Sequence, residues 1–389
     1  MKLLPKLAVP LLLFSYTFAL SQAAPPQFSL DAEALATEIV ERLDLQPGER
    51  FIAVAHPGLF DDVIQQLRYE VAKAGAIDLG VLDVLEEPVP AGWDGETLSA
   101  SGSAARDVLR DMLRDVDASV MLPGANPTHP AYAAIQDLLK VGKGRTIHFH
   151  WLQGGGNIAL PGQPLPATHV IAATYQAAIL DTDYRALAEQ QRGFEAAMRG
   201  ADIRVTNAAG TDLSFRIGDR PVNRQDGDAS AERTGRGRIL IDRAIELPAG
   251  VVRVAPIEST VNGRIVFPPS QWAGRPVTGL ELTFERGRIV DVSADSGVDA
   301  ALEEIDGNGE AGRAFRELGL GFNPLLAVPD QRPWIPYFGY GAGVVRLSLG
   351  DNTELGGDVG GGYSRWNFFT DMTVTVDGEV WVEEGRLVK

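Results

Sequence analysis

The stretch from Phe51 to Val84, FIAVAHPGLFDDVIQQLRYEVAKAGAIDLGVLDV, decides the fold of the N-terminal half. It opens on a short apolar run, Phe51–Ala55, which is typical of a buried strand. Apolar residues then recur at helical spacing from Asp61 to Ala76, and a second apolar strand follows from Leu79 to Val84. A strand, a helix and a second strand in this order predict a βαβ unit with a parallel sheet.

The same alternation continues on both sides of this stretch. Helices are predicted over Asp31–Leu43, Ala104–Val116 and Pro130–Val141, and strands over Ala118–Leu122 and Thr146–Leu152. Asp31 is a candidate N-cap for the first helix. The pattern therefore predicts an N-terminal α/β domain with a parallel, doubly wound sheet and right-handed crossovers.

The character of the sequence changes near residue 200, which predicts an N-terminal domain over residues 24–198 and a β-rich domain over 199–389. A helix over Asp183–Arg199 joins the two parts. The features predicted beyond it are short alternating strands such as Asp202–Thr206 and Leu280–Phe284, turns at Asp377-Gly378 and Glu384-Gly385, helices around Val298–Glu304 and near Gly312–Leu318, and a mobile loop at 223–237.

The first residues have the pattern of a secretory signal peptide over residues 1–23. Lys2 and Lys6 precede an apolar run over residues 7–20, and residues 21–23 are small or polar, as at a cleavage site. An uncleaved anchor is the alternative, although the run is short for a membrane span. We therefore expect export to the periplasm or the medium, with no membrane contact after cleavage.

The composition argues against several classes of function. With 35 Lys and Arg against 52 Asp and Glu, the formal net charge is -17. Such a chain repels phosphate backbones, so nucleic acid is not expected as a partner. The chain has no cysteine, which excludes disulfides, thiol catalysis and thiolate metal sites.

The five histidines all precede residue 170. His148 and His150 are two apart on a predicted strand, so both side chains point to one face of the sheet. Such a pair could hold zinc, iron or copper, but metal sites normally take three or more ligands. A hydrogen-bonded pair at the end of the sheet is the simpler interpretation. His56, which precedes a Pro-Gly turn, is interpreted as structural.

Five segments of the second half, in a fixed order, together resemble the aminopeptidase T family of metallo-aminopeptidases. They are VTNAAGTDL at 205–213, LPAGV at 247–251, ELGLGFNP at 317–324, RLSLGDN at 346–352 and SRWNFF at 364–369. The first half fits that family only by its general α/β character. The resemblance implies a C-terminal β-rich α+β domain of the aminopeptidase T type, with a ligand site in the cleft between the domains.

The resemblance also implies a dinuclear site for zinc, cobalt or manganese. In this sequence, however, only one of the family's five ligand positions keeps its ligand residue. The family's glutamate after a Pro-x-Gly turn corresponds to Val251, and its second glutamate to Glu317. Its first histidine corresponds to Arg346, and its late histidine and aspartate correspond to Asn367 and Phe369. Glu317 is therefore the one retained metal ligand.

This replacement leaves three interpretations of the site open. In the first, an Arg346–Glu317 ion pair takes the place of the metal centre, because one carboxylate cannot displace the hydration shell of a divalent ion. In the second, Glu317, Glu258 and Asp351 rebuild a weaker site for calcium or magnesium. In the third, the family positions are shifted by a few residues. A ring-cleaving iron dioxygenase group has a similar fold, but its chemistry is disfavoured because the second half has no histidine.

The resulting expectation is an exported, aminopeptidase-like protein that binds a peptide or small molecule at a degenerate metal site. Glu317, Arg346 and Asn367 would line the site, and Arg346 would contact a carboxylate. The alternatives are an active metal-dependent aminopeptidase with rearranged ligands, and a structural or assembly protein that uses the fold as a scaffold. The resemblance also suggests a homodimer.

Overall fold

The computed structural model describes residues 28–84, 105–124, 129–152 and 155–389, so the predicted signal peptide lies outside the described residues. In the described part of the chain, no helix is long and apolar enough to cross a membrane. The chain forms a parallel α/β part followed by a strand-rich part, which confirms the predicted fold class.

The N-terminal part alternates strands with helices. Its elements are α1 (Ala32–Leu43), β1 (Arg50–Ala55), α2 (Asp61–Lys73), β2 (Ile77–Asp83), α3 (105–113), β3 (Ala118–Met121), α4 (Pro130–Lys140), β4 (Arg145–Phe149), β5 (Ile158–Ala159), α5 (Thr168–Leu180) and α6 (Tyr184–Met198). Strands pair in parallel in the order β2-β1-β3-β4. Asp31 caps α1, since its side chain accepts a hydrogen bond from the Ala34 amide.

Helices cover both faces of this parallel sheet. Phe51 and Ala53 of β1 pack with buried residues of α1, α2 and α5, whereas Ile52 and Val54 pack with buried residues of α4. A strand buried on both faces carries a continuous apolar run, because no position faces water. The run in β1 therefore follows from its place inside the sheet.

The C-terminal part is built mainly from short strands. Its elements are β6 (Ile203–Thr206), β7 (Asp212–Phe215), β8 (Val222–Arg224), α7 (Ala231–Gly235), β9 (Ala244–Leu247), β10 (Val251–Val254), β11 (Asn262–Val266), β12 (Ser270–Trp272), β13 (Arg275–Val277), β14 (Glu281–Glu285), β15 (Arg288–Ser293), α8 (Val298–Gly307), α9 (Gly309–Gly312), β16 (Phe315–Gly321), β17 (Trp334–Ile335), β18 (Val345–Gly350), β19 (Ser364–Arg365), β20 (Phe368–Phe369), β21 (Thr373–Val376), β22 (Glu379–Glu383) and β23 (Arg386–Leu387).

These strands form two main sheets. One has eight strands in the order β15-β14-β11-β7-β6-β21-β22-β23. The other has the order β19-β18-β16-β10-β8, and β20 also pairs with β18. Strands β10, β16 and β18 at the centre of the second sheet run antiparallel to their neighbours. Because these three strands carry several of the sequence-predicted site residues, the second sheet positions the candidate site.

The two parts of the chain exchange strands. Strand β9, which lies beyond residue 199, pairs in parallel with β4 and extends the N-terminal sheet. Strand β5 of the first part pairs with β17 of the second. The division between residues 198 and 199 stays a prediction, and the two parts share hydrogen-bonded strands across it.

Two local predictions from the sequence are wrong. The helix predicted near Gly312–Leu318 is instead the end of α9 followed by β16, a strand buried along its whole length. Such a strand shows no polar alternation, so its Glu and Leu residues suggested a helix. The loop predicted at 223–237 contains the end of β8 and helix α7, which Ser230 caps by accepting a hydrogen bond from the Arg233 amide.

Candidate functional site

Three neighbouring strands place the charged residues of the candidate site. Arg253 on β10 and Arg346 on β18 both lie opposite Gly319 on β16. Glu317 is two residues before Gly319, so the two positions share a face of the sheet. A side chain at Gly319 would place its Cβ 3.1 Å from Nε and 3.2 Å from Cβ of Arg346. The glycine therefore makes room for the Arg346 side chain beside Glu317.

Glu317 has no exposed surface, and both of its carboxylate oxygens have partners. Oε2 accepts hydrogen bonds from Arg253, with Nε at 3.1 Å and Nη2 at 2.9 Å. Oε1 accepts a hydrogen bond from Ser348 at 3.2 Å. Arg346 Nε lies 3.0 Å from Oε1, but it is not aligned for a hydrogen bond, so the contact is an ion pair. The Arg346–Glu317 contact expected from the sequence is present.

A second carboxylate and a third arginine extend this cluster. Glu354 accepts a hydrogen bond from Arg253 Nη2 at 2.7 Å and another from Arg316. The register of β16 and β18 shifts between Phe315 and Glu317, which inserts Arg316 as an extra residue. Such a bulge re-aims a side chain. In this case Arg316 Nε lies 3.7 Å from Glu317 Oε2, although Arg316 is adjacent to Glu317 in sequence.

This arginine cluster, defined as Arg253, Arg316 and Arg346 with Glu317 and Glu354, carries three positive and two negative charges. Burial by itself raises the pKa of Glu317, but the attraction of the three arginines outweighs it and lowers that pKa to about 2. Arg346 is 2% exposed, and its Nη2 has no hydrogen-bond partner in the described part of the chain. Arg316 Nε also lacks a partner, but Arg316 donates to Glu354 through Nη2, whereas the Arg346 guanidinium makes no hydrogen bond with any described residue.

An aromatic side chain covers this guanidinium. The Arg346 Cζ lies 4.9 Å from the centroid of the Trp366 ring, within the range of a cation–π contact. The Phe338 ring packs edge-on against Trp366 at 5.2 Å between centroids. Trp366 is 39% exposed, so Arg346 is separated from solvent by an indole that itself reaches the surface.

Of the other positions that correspond to family metal ligands, Val251 and Phe369 offer no ligand atom, and the side-chain oxygen of Asn367 is already engaged by Arg365. Val251 is a core residue of β10 opposite Gly321, and Phe369 is buried with its ring 5.8 Å from that of Phe267. The Asn367 side chain donates to the Leu347 carbonyl at 3.1 Å and accepts from Arg365 at 3.0 Å. Its hydrogen bonds are thus to the backbone and to Arg365, and not to Glu317.

The structure does not bring Glu258 and Asp351 into contact with Glu317. Glu258 pairs with Arg220 at 2.6 Å and accepts a hydrogen bond from Asn352 at 2.9 Å. Asp351 accepts hydrogen bonds from the Thr353 and Gly362 amides within its own loop. No group of three or more His, Asp or Glu side chains that could hold a metal ion occurs in residues 28–84, 105–124, 129–152 and 155–389. The described part of the chain therefore does not bring together the three oxygen ligands that the rebuilt site would need.

The donor set itself does not fit a dinuclear centre. The oxygens of Glu317 are already occupied by guanidinium and hydroxyl donors. A guanidinium stays protonated in proteins and has no lone pair to offer, so Arg346 and Arg253 repel a cation at this position. The chemistry of these residues favours an anion instead.

A second group of polar side chains lies where β4 and β9 end. The His148 and His150 rings are 5.0 Å apart, and the Tyr132 ring is 4.8 Å from His148. The shared face predicted for the two histidines is therefore present. Burial lowers the pKa of His148 to about 3 and also lowers that of His150, so both imidazoles are neutral near pH 7.

Glu246 of β9 lies beside the two histidines. Its Oε2 accepts hydrogen bonds from Tyr337 at 2.6 Å and Tyr340 at 2.5 Å. Burial raises the pKa of Glu246, but the hydrogen bonds from the two tyrosine hydroxyls and the positive charge of Arg253 lower it by more, so the carboxylate is ionised. Conversely, burial and the Glu246 charge raise the pKa of both tyrosines far above the ordinary value, and both remain protonated donors.

Sequence reasoning missed Arg253, Arg316, Glu354 and Glu246. Strand alternation offered a signal for Arg253, since it lies two residues after Val251 and shares its face of the sheet. The bulge that turns Arg316 toward Glu354 has no clear sequence mark. Glu354 and Glu246 come from segments distant in sequence, which only the pairing of strands brings together.

We expect Gly319→Ala to lower the free energy of unfolding by about 1–3 kcal/mol, because the new methyl group would press on Arg346 at the centre of the sheet. Gly307→Ala is the matched control, since Gly307 ends α8 and a Cβ added there would meet no atom within 4 Å. Urea denaturation followed by tryptophan fluorescence gives both values. Equal stability of the two variants would contradict a tightly packed Gly319.

Comparisons with known proteins agree with this architecture. Residues 183–323 match the family described as thermophilic metalloprotease (M29). The fold is similar to that of AmpT from Thermus thermophilus, with a TM-score of 0.60, 19% identity, and coverage of 92% of this chain and 99% of that chain. It is also similar to 2,5-dihydroxypyridine dioxygenase from Pseudomonas putida KT2440, with a TM-score of 0.60, 16% identity, and coverage of 92% and 96%.

At such identities the two solved structures show the fold alone, and no curated protein matches the sequence. The family match covers α6 to the end of β16, the part of the chain that holds Arg253 and Glu317. Over residues 183–323 the chain is thus similar to the thermophilic metalloprotease (M29) family, and over most of its length it shares the fold of AmpT, an architecture of the aminopeptidase T type.

Proposed function

We propose that this protein binds a peptide or small molecule through a carboxylate at the arginine cluster, and that it does not hydrolyse peptides with a pair of metal ions. The observation that carries the proposal is the unused guanidinium of Arg346, whose buried Nη2 has no hydrogen-bond partner in the described part of the chain. A buried donor without a partner is costly, and a charged donor more so.

The charge balance of the cluster supports the same proposal. Three guanidinium groups surround two carboxylates, so a bound anion would complete the balance. Arginine also matches a carboxylate in shape, since its planar fork can donate two parallel hydrogen bonds. A ligand carboxylate is therefore a better complement to Arg346 than a metal ion.

We further propose that the protein acts outside the cytoplasm, on the basis of the signal-peptide pattern at residues 1–23. The strongly acidic composition is consistent with a small-molecule or peptide ligand rather than a nucleic acid. The homodimer suggested by the family resemblance remains a proposal as well.

Calorimetric titration with sodium acetate, with ionic strength held constant by sodium chloride, tests the carboxylate site. We expect saturable binding with a Kd on the order of millimolar for so small a ligand, and its loss in Arg346→Met. Arg365→Met is the matched control, because Arg365 also stacks on a tryptophan and pairs with a glutamate. The control variant should bind acetate as the wild type does.

Two outcomes would contradict the proposal. Stoichiometric, tightly bound divalent metal in protein purified without chelator, together with chelator-sensitive release of N-terminal residues, would indicate a working aminopeptidase. Absence of both metal and acetate binding would favour the scaffold role.

A further inference from the structure

Glu246 is an ionised carboxylate that has no ion pair in the described part of the chain. Its Oε2 is held by two tyrosine hydroxyls, whereas Oε1 accepts no hydrogen bond from any described residue. The residue is half-buried, so its charge is partly removed from water. An ionised group in this position is stabilised by a cation, because tyrosine hydroxyls share its charge without neutralising it.

The positive charge that acts on Glu246 is that of Arg253 on β10 of the second sheet, which contributes to the lowered pKa of Glu246. Arg253 does not pair with it, however, because its guanidinium is taken up by Glu317 and Glu354. The groups around Glu246 are otherwise neutral: two imidazoles and protonated tyrosines. The negative charge of Glu246 is therefore available to a ligand.

The histidines beside Glu246 can accept a hydrogen bond from such a ligand. Both are neutral, and a neutral imidazole has one nitrogen with a free lone pair. His150 Nε2 is buried and has no hydrogen-bond partner among the described residues. The Tyr337 ring lies 5.2 Å from His150, and the Tyr132 ring 4.8 Å from His148. Acceptors and aromatic faces around one carboxylate suit an ammonium group.

This second group of residues is contiguous with the arginine cluster. Tyr340 donates to Glu246, and its pKa also responds to Arg346 and Arg253. On the other side, Phe338 packs against both His150 and Trp366, the indole that covers Arg346. A single wall of the site therefore carries an uncompensated negative charge at one end and an unused guanidinium at the other.

We infer that Glu246, His148 and His150 form a subsite for a cationic nitrogen, so that the ligand is a zwitterion with its ammonium group here and its carboxylate at Arg346. The carboxylate end rests on the proposed function, whereas the ammonium end rests on Glu246 and the histidines alone. A metal ion is a poorer occupant, because the described residues offer no group of three metal ligands.

Titration of the full-length mature protein with ethylammonium chloride, followed by NMR of the histidine ring signals, tests this subsite. The chain has five histidines, so each signal can be assigned by substitution. We expect saturable shifts of the His148 and His150 signals, with none for His169, which is exposed and serves as the internal reference. Sodium chloride at equal ionic strength is the control titrant and should leave the signals unmoved.

Glu246→Gln should weaken ethylammonium binding by about tenfold or more, because it removes the charge and keeps an oxygen for the two tyrosines. His150→Phe keeps an aromatic ring but removes the hydrogen-bond acceptor, so it should also weaken ethylammonium binding. This variant tests the subsite if Glu246→Gln does not fold. The inference would be overturned if the wild-type signals did not shift saturably. It would also be overturned if both variants bound ethylammonium with the affinity of the wild type.

Acetate titration of the same samples separates the two proposals. If acetate binds and ethylammonium does not, the ammonium subsite is wrong and the carboxylate site stands. If ethylammonium binds through Glu246 and acetate does not bind, the subsite stands and the proposed carboxylate site is wrong.

Discussion

Glu317→Gln should lower the free energy of unfolding by about 3–5 kcal/mol, the cost typical of leaving buried charges without their partner. Glu317 is fully buried and contacts Arg253, Arg316 and Arg346, so its loss leaves Arg253 and Arg316 with Glu354 alone and Arg346 without a carboxylate partner. Urea denaturation at neutral pH, followed by tryptophan fluorescence, measures the effect.

The pH dependence of the free energy of unfolding gives a second test of the role of Glu317. The pKa of Glu317 falls from its ordinary value of 4.5 to about 2 on folding. A lowered pKa in the folded state means that the stabilisation is complete above about pH 4.5 and is lost as the pH falls toward 2. Wild-type stability should therefore decline over this window, and the Glu317→Gln variant should lack that part of the decline.

Glu354→Gln is the matched control, since Glu354 belongs to the same cluster but its side chain is 35% exposed. Because water can replace some of the hydrogen bonds of that half-exposed carboxylate, we expect Glu354→Gln to lower the free energy of unfolding by about 1 kcal/mol. If both variants lost a similar free energy of unfolding, the burial of Glu317 would not account for its contribution to stability.

Arg253→Met should be the second most damaging change, with a loss of about 3 kcal/mol. The Arg253 guanidinium donates to Glu317 Oε2 and to Glu354 Oε1, so one substitution removes a donor from both carboxylates. Methionine fills a similar length of the core, which limits the contribution of a cavity. Urea denaturation at neutral pH again gives the value.

Arg346→Met serves as the comparison for Arg253→Met, because the two arginines lie opposite the same glycine. We expect a change of less than about 1 kcal/mol, since Glu317 keeps its bonds from Arg253 and Ser348 and the cost of burying an unpartnered Nη2 disappears. If Arg346→Met proved the more damaging of the two, Arg346 would be a structural residue rather than one held for a ligand.

The N-terminal fold was predictable because its signals are local. Phe51–Ala55 is apolar throughout, and the residues between it and β2 have helical spacing. Both patterns are fixed by burial on the two faces of one sheet. The same reasoning failed at Phe315–Gly321, because a strand buried along its whole length has no periodicity to distinguish it from a helix.

The candidate site was predictable only where the family resemblance reached. It identified Glu317 and Arg346, and their ion pair follows from the physics of an arginine placed beside a carboxylate. Arg253 and Glu246 were not predicted, since their importance depends on the strands that flank them. The assignment of Asn367 to the site rested on its family position, and its side chain instead contacts Leu347 and Arg365.

Strand β9 has a consequence for how the protein is made. While the ribosome is still short of Ala244, β4 is an open edge of the parallel sheet, with a row of backbone groups that the finished protein pairs with β9. The N-terminal part therefore cannot complete its own sheet as it emerges, and it must await a segment from the other side of α6. Nascent chains that stall before Ala244 would leave the β4 edge unpaired, and an unpaired strand edge favours aggregation during synthesis.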